Sequence, residues 1–301
     1  MSSELKVWLD LGRVSNLPSV WTNVLAAALL TGAGQHYATW NWSISIAGLL
    51  PATMLALSLM YVGGMLLNDV FDADWDKQHQ NPRPINQGRV RQELVQTVAV
   101  FCLASAVFLI LILAWLKNGA ADLWPSLAAS LFLLLVICAY NLWHKQFRHS
   151  VWLMGLCRFG VYLVAATLVA TPDLQLLMAG AVLAGFIAGV TYLAQQEHQN
   201  QLDQRWPVLL LFSPLLLALH QPEHLLFWLL LLFFTVWILW ISTSYLTAAQ
   251  LRVRPLIGLL LASIPLLDAL VLASVGQWQA SLLCIVVFAL LPRFQLWVRA
   301  S

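Results

Sequence analysis

Charge is what this chain has least of. Asp, Glu, Lys and Arg make up 9% of its 301 residues, against about 25% in soluble domains. A water-facing surface wrapped around an ordinary core is therefore excluded. The formal net charge of +2 is too small for a basic face, so no nucleic acid is expected as a partner. Cysteine is scarce as well. Cys102, Cys138, Cys157 and Cys284 stand singly in apolar runs, with no CxxC pair, which excludes a thiolate metal site. No low-complexity tract interrupts the chain. The first residues do not read as a removable signal peptide, because charges continue to Arg13 and no small-residue cleavage site follows. Val7, Trp8 and Leu9, set among Glu4, Lys6 and Asp10, predict instead an interfacial helix within residues 1–16.

Apolar surface is what the chain has in excess. Hydrophobic residues reach 61%, with 15 Trp and a mean hydropathy of +0.79. Ten apolar runs cover 17–34, 44–67, 94–116, 123–143, 151–170, 174–193, 207–219, 225–245, 256–275 and 280–297. Most approach the roughly 20 residues that cross a bilayer; the seventh is short and interrupted by Pro214, and Pro265 should kink the ninth. The expectation is an all-α, polytopic membrane bundle forming one domain over residues 1–301. With the N-terminus in the cytoplasm and all ten runs crossing, every Lys and Arg except Lys117 and Arg158 falls on the cytoplasmic side. The positive-inside rule favours that orientation. It makes the chain a multi-pass protein of the cell inner membrane, with its polar loops facing the cytoplasm.

Where the second run ends, the acids gather. Asn68-Asp69-Val70-Phe71-Asp72-Ala73-Asp74-Trp75-Asp76 holds four of the 13 acids. At about 100° per residue, Asp69, Asp72 and Asp76 share one helical face and Asp74 points elsewhere. Three carboxylates on one stripe repel each other at a membrane helix mouth, so a cation is expected to neutralise them. Hard oxygen ligands suit Mg²⁺ or Ca²⁺ rather than zinc. A calcium loop does not fit, since Lys77 stands where glycine is needed and Arg83 where the closing Glu should be. A functionless charged cap is the bland alternative, and same-face spacing counts against it. Two ionisable residues lie inside apolar runs, Arg158 and Asp268, and such residues in a membrane are functional candidates by default. The seven His sit near loops, where solvent exposure is the ordinary state; His144 and His149 flank Lys145 and Arg148 in a loop suited to phosphate.

Asn68-Asp69-x-x-Asp72-x-x-x-Asp76 resembles the first Asp-rich motif of the UbiA superfamily of intramembrane prenyltransferases. Asn81-Pro82-Arg83-Pro84-Ile85-Asn86-Gln87-Gly88-Arg89 is similar to the basic stretch that follows that motif. Arg13-Val14-Ser15-Asn16-Leu17-Pro18 resembles the family's approach to its first helix, and Tyr140 with Lys145 its Tyr…Lys pattern closing the fourth. The resemblance implies Mg²⁺-dependent transfer of a prenyl group from a prenyl diphosphate to an aromatic or other small acceptor within the membrane. Carried over, Asn68, Asp69, Asp72 and Asp76 are the metal-ligand candidates. Lys77, Arg83, Lys145 and Arg158, with Asn68, are the diphosphate-binding candidates. Tyr140 can offer its ring face to a carbocation. For Arg158, a structural partner such as Glu197 or Asp268 is an equal alternative.

Two departures stand out. The second Asp-rich motif, expected after the sixth helix, is represented by Ala194-Gln195-Gln196-Glu197-His198-Gln199-Asn200-Gln201-Leu202-Asp203. Only Glu197 remains as a nearby acid, a candidate metal and catalytic residue, so a second Mg²⁺ would be weakly held or missing. This pattern is similar to a divergent UbiA branch, the EboC-like proteins. The tenth run exceeds the family's usual nine helices, so nine to ten are expected. A membrane binding or transport component that kept the diphosphate site and lost efficient catalysis is the alternative function.

Overall fold

A computed structural model describes residues 3–32, 44–79, 83–196, 204–246 and 253–298, helices joined by short turns and irregular links. Helix α1 (Ser3–Leu11) lies where an interfacial helix was expected, ahead of α2 (Leu17–Gly32). The crossings continue as α3 (Ile44–Gln78), α4 (Gln92–Asn118), α5 (Ala120–Trp143), α6 (Val151–Thr167) and α7 (Leu174–Gln195). A 3₁₀ segment (Trp206–His220), α8 (Leu225–Leu246), α9 (Val253–Ala262), α10 (Ile264–Ser274) and α11 (Trp278–Trp297) complete the bundle. Among the described residues, eight helical stretches are long and apolar enough to span a membrane, with α9 and α10 forming one of them. Adding α2 and the 3₁₀ segment gives the ten apolar elements read from the sequence. At about 2.0 Å per residue, the 15-residue 3₁₀ segment extends roughly 30 Å, the thickness of a hydrocarbon core.

Proline explains the one broken crossing. Pro265 has no N–H to give at the start of α10, so the run divides at Ser263, whose Oγ accepts from Trp237 Nε1 at 2.9 Å. The run is interrupted where a kink was expected. Helices α7 and α9–α10 are mostly enclosed, whereas α4 and α11 turn most of their surface outward. Leu282, Leu283, Val286 and Phe294 on α11 are exposed, as a lipid-facing surface requires.

Small residues let the central helices touch. A Cβ at Gly155 of α6 would run into the carbonyl oxygen of Ala184 on α7, and one at Gly63 of α3 would lie 2.8 Å from Leu103 Cγ on α4. With little hydrophobic gain between helices in lipid, such close approach is a main source of association. Gly155→Val should therefore separate α6 from α7 and cost about 1–3 kcal/mol. Thermal unfolding of the purified protein in detergent measures it; an unchanged midpoint would mean that this contact does not hold the bundle.

Polar contacts segregate by end. Gln295 Nε2 of α11 donates to Asn16 Oδ1 at 3.3 Å, and Gln195 Nε2 of α7 to Ser150 Oγ at 3.1 Å, both at the end that carries the acidic stretch. Lys117 pairs with Asp122 at 2.8 Å in the α4–α5 turn at the opposite end.

Candidate active site

The acidic stripe is formed as the spacing implies. Asp69, Asp72 and Asp76 are buried on the inward face of α3, and Asp74 is exposed. What neutralises them differs from expectation: the chain's own basic residues surround them. Arg13 Nη2 stands 3.8 Å from Asp69 Oδ1, and Arg83 Nη1 3.9 Å from the same atom. Arg83 Nε is 3.9 Å from Asp76 Oδ2. Lys145 Nζ lies 3.4 Å from Asp72 Oδ2 and 3.9 Å above the Trp75 ring. Repulsion along the stripe is thus met by Arg13, Arg83 and Lys145, one fixed cation for each carboxylate, so no external ion is required merely to keep the acids together.

Local structure aims these cations. Arg13 follows α1 in a left-handed conformation (φ 46°), a conformation that non-glycine residues rarely hold and that concentrates at functional sites. From there its Nη2 donates to Asn68 Oδ1 at 3.3 Å. Asn68 Nδ2 donates to Asn141 Oδ1 at 3.1 Å, and Asn141 Nδ2 to the Gly64 carbonyl at 3.4 Å. Asn68 is thereby occupied with tying Arg13 to α5, and its oxygen already has a donor. Arg83 is delivered by a turn folded back over α3. In the amide orientation that satisfies both groups, Asn86 accepts from Lys77 N and donates to the Ala73 carbonyl, each at 3.1 Å. Lys77 itself is exposed, beyond the cluster.

His144 is a partner that its loop position did not announce. Its Nε2 faces Asp72 Oδ1 at 2.9 Å, without the alignment of a hydrogen bond. Its ring stacks on Tyr140, with centroids 5.0 Å apart. Arg13 and Asn141 were also missed as site residues. Lys145 and Tyr140 hinted at this end of α5, but nothing local to Arg13 points 55 positions ahead.

Inward from the cluster lies a cavity of about 180 Å³, bounded by Gly64 and Met65 of α3, Tyr140 and Asn141 of α5, and Thr191 and Ala194 of α7. The middle of α3 and the end of α7 therefore wall one cavity, although its lining is mostly apolar where a polar cavity between the two motif-helix ends was expected. Its deeper wall is apolar, with Leu57, Met60, Leu133, Ile137 and Val161, and includes Tyr61 and Arg158. Glu197 lies outside the described residues. At the end of α7, the buried Gln196 Oε1 has no hydrogen-bond partner among the described residues.

Arg158 has the inner partner that was one of its two readings, though through an intermediary. It is buried, donating from Nη1 to Asn23 Oδ1 at 2.9 Å and from Nη2 to Ser19 Oγ at 3.1 Å. Asn23 Nδ2 donates in turn to both oxygens of Asp268, at 3.0 and 2.8 Å. Tyr162 Oη also donates to Asp268 Oδ1, at 2.6 Å. The spacing of Ser19 and Asn23, four apart in an apolar helix, was the available signal for this network.

The donors suit a hard cation. Asp69 Oδ1 and Asp72 Oδ1 are buried and accept no hydrogen bond from the described residues, and carboxylate oxygens are what Mg²⁺ takes. Among the described residues no three His, Cys, Asp or Glu side chains enclose a metal by themselves.

The UbiA prenyltransferase family profile matches residues 19–274. The chain belongs to that family. It is 25% identical over 189 residues to digeranylgeranylglyceryl phosphate synthase of Sulfolobus acidocaldarius, covering 63% of this chain and 58% of that one. It is 34% identical over 103 residues to the protein of the same name from Ignicoccus hospitalis, covering 34% of this chain and 30% of the relative. Both matches span less than two thirds of those relatives' own lengths. The fold is shared with a solved structure described for digeranylgeranylglyceryl phosphate synthase in membranes (TM-score 0.62, 14% identity, 92% of this chain and all of that one). It is shared also with a UbiA homologue from Archaeoglobus fulgidus bound to GPP and Mg²⁺ (TM-score 0.60, 15% identity, 94% and 99%). In this family setting the chain is a multi-pass membrane protein with the UbiA fold.

Proposed function

We propose that this UbiA family member transfers a prenyl group from a prenyl diphosphate to a small acceptor inside the membrane. The observation that carries the reading is the buried stripe of Asp69, Asp72 and Asp76, interleaved with Arg13, Arg83 and Lys145 at the mouth of an apolar cavity. Membership of the UbiA prenyltransferase family, the relatives named digeranylgeranylglyceryl phosphate synthase and the GPP- and Mg²⁺-bound structural neighbour support it. Asp69, Asp72 and Asp76 are the residues that would hold Mg²⁺, with Glu197 a further candidate and Asn68 supporting them. When bound, Mg²⁺ supplies screening of the charge that builds on the departing diphosphate.

The protein's own groups account for the rest. The cluster is already balanced, so an incoming diphosphate brings uncompensated negative charge. Arg13, Arg83 and Lys145 stand 3.4–3.9 Å from the carboxylates, loose enough to turn toward phosphate oxygens. Their contacts to the leaving group strengthen as the C1–O bond breaks and its electron pair goes to the diphosphate. The allylic cation left at C1 faces Tyr140, whose ring can stabilise it. The acceptor's electron pair then forms the new bond to C1, and the acceptor's proton passes to the released diphosphate. Apolar walls keep water from capturing the cation first. We place the cluster on the cytoplasmic side of the inner membrane, because the basic residues gather at that end.

Diphosphate release from geranyl diphosphate by the purified chain tests the reading. Mg²⁺-dependent release that stops on chelation is the expected result. Binding of geranyl diphosphate without release, at any acceptor tried, would overturn transfer in favour of a binding or transport component.

A further inference from the structure

His144 stands at the acidic stripe with a role that ion pairing leaves open. Its side chain is 10% exposed and reaches from the end of α5 to α3, with Nε2 2.9 Å from Asp72 Oδ1. Charge balance does not call for it, because Asp72 already has Lys145 at Oδ2, 3.4 Å away. The other ring nitrogen tells where the hydrogen lies. Nδ1 is 3.2 Å from the Tyr140 carbonyl oxygen and 3.3 Å from that of Asn141. Facing two acceptors, Nδ1 is assigned the hydrogen, and in the neutral ring the Nε2 lone pair is then free. A lone pair set against a carboxylate oxygen is repulsive unless something positive is shared between them. Close as they are, neither Nε2 nor Oδ1 is in a hydrogen bond among the described residues. A hydrogen bond needs the two atoms in line; two ligands of one ion need only converge on a point beside that line. Neighbouring ligands of an octahedral cation stand about 2.9 Å apart, whereas those of tetrahedral zinc stand about 3.3 Å apart. The observed separation is the octahedral one.

We propose that His144 is a nitrogen ligand to the metal that Asp72 holds, and that it makes this site prefer Mn²⁺ over Mg²⁺. The inference rests on the prenyl-transfer reading for its purpose, since it names the ion of the same site. Mg²⁺ is satisfied by oxygen alone, whereas an imidazole adds affinity for first-row transition ions. Zinc and copper suit the site less well, because the neighbouring donors are carboxylates and the spacing is octahedral. Mn²⁺ is the member of that series that readily takes carboxylate, water and phosphate oxygens at its other positions. His144 is also held as a metal-binding histidine ordinarily is, by backbone carbonyls at its second nitrogen. Stacking on Tyr140, with centroids 5.0 Å apart and planes 21° apart, fixes the ring plane. Little ordering is then left for the ion to impose.

The test uses the full chain in detergent micelles with Mn²⁺ as the probe, alone and together with geranyl diphosphate. Pulsed electron paramagnetic resonance of the bound Mn²⁺ should show a coupled nitrogen, and the coupling should change when the histidines alone are isotopically labelled in nitrogen. That readout needs no variant to fold. By calorimetry the wild type should bind Mn²⁺ at least about tenfold tighter than Mg²⁺. His144→Leu should abolish the nitrogen coupling and lower Mn²⁺ affinity about tenfold, while leaving Mg²⁺ affinity nearly unchanged. Equal losses for both ions would reduce His144 to holding Asp72 in place, and gains for both would make it a cation competing with the metal; either result overturns the proposal. So would a Mn²⁺ signal blind to histidine labelling, a chain that binds no Mn²⁺, or wild-type affinity no higher for Mn²⁺ than for Mg²⁺. Geranyl diphosphate binding with Mn²⁺ but without histidine coupling would sink the ligand assignment and leave the prenyl-transfer reading intact. Histidine-coupled Mn²⁺ in a chain that never binds geranyl diphosphate would do the reverse.

Discussion

Asp72→Asn is expected to abolish Mg²⁺-dependent binding of geranyl diphosphate, with an affinity loss of at least about 100-fold, and Asp69→Asn should do nearly as much. The two substitutions remove the carboxylates whose Oδ1 atoms are buried and accept no hydrogen bond from the described residues. An amide keeps the shape but surrenders the charge that holds a hard divalent cation. Asp72→Asn has a second consequence: His144 and Lys145 lose the anion between them, so this end of α5 should also loosen. Asp74→Asn is the control, since Asp74 is exposed and off the stripe. Calorimetry with and without Mg²⁺ on the three variants checks the claim. Equal losses from all three would show that the helical-face assignment is wrong, and no loss from Asp72→Asn would remove the metal site altogether.

The parts of this site that were legible in the sequence are those fixed within one helix. The length of the apolar runs determined that the chain is a membrane bundle, because in lipid the backbone must satisfy itself by helix formation. The i, i+3, i+7 spacing of Asp69, Asp72 and Asp76 determined that they share a face, and Asp74 fell outside it for the same reason. What neutralises the stripe was not legible. Arg13 comes from the turn before α2, Lys145 from the end of α5 and Arg83 from a loop folded back by Asn86, and such meetings depend on packing between distant segments. Asp268 and Arg158 were each conspicuous as charges in apolar runs. Their linkage through Asn23, an ordinary residue of α2, depends on three helices meeting. The 3₁₀ form of Trp206–His220 was equally hidden, because apolar composition alone does not distinguish its tighter winding from an α-helix.

Asp268→Leu is expected to be the most destabilising substitution in the membrane interior. Asp268 is fully buried and accepts from Asn23 Nδ2 and Tyr162 Oη. Leucine would leave both donors without an acceptor where water cannot reach, at about 1–3 kcal/mol each, and Asn23 would lose the constraint that turns its oxygen toward Arg158. The guanidinium would then stand in the core without its nearest counter-charge. Breaking a buried ionic network by removing one partner costs about 3–5 kcal/mol in total. Asp268→Asn should cost less, since its amide oxygen can still accept from Tyr162. Replacing both charges is the decisive comparison: Arg158→Met combined with Asp268→Leu removes the uncompensated cation and should be more stable than Asp268→Leu alone. Thermal unfolding of Asp268→Leu, Arg158→Met and the double variant in one detergent measures the coupling. If the double variant unfolds at the sum of the two single losses, Arg158 and Asp268 act independently, and Asn23 is a bystander between them instead of the link through which one charge holds the other in place.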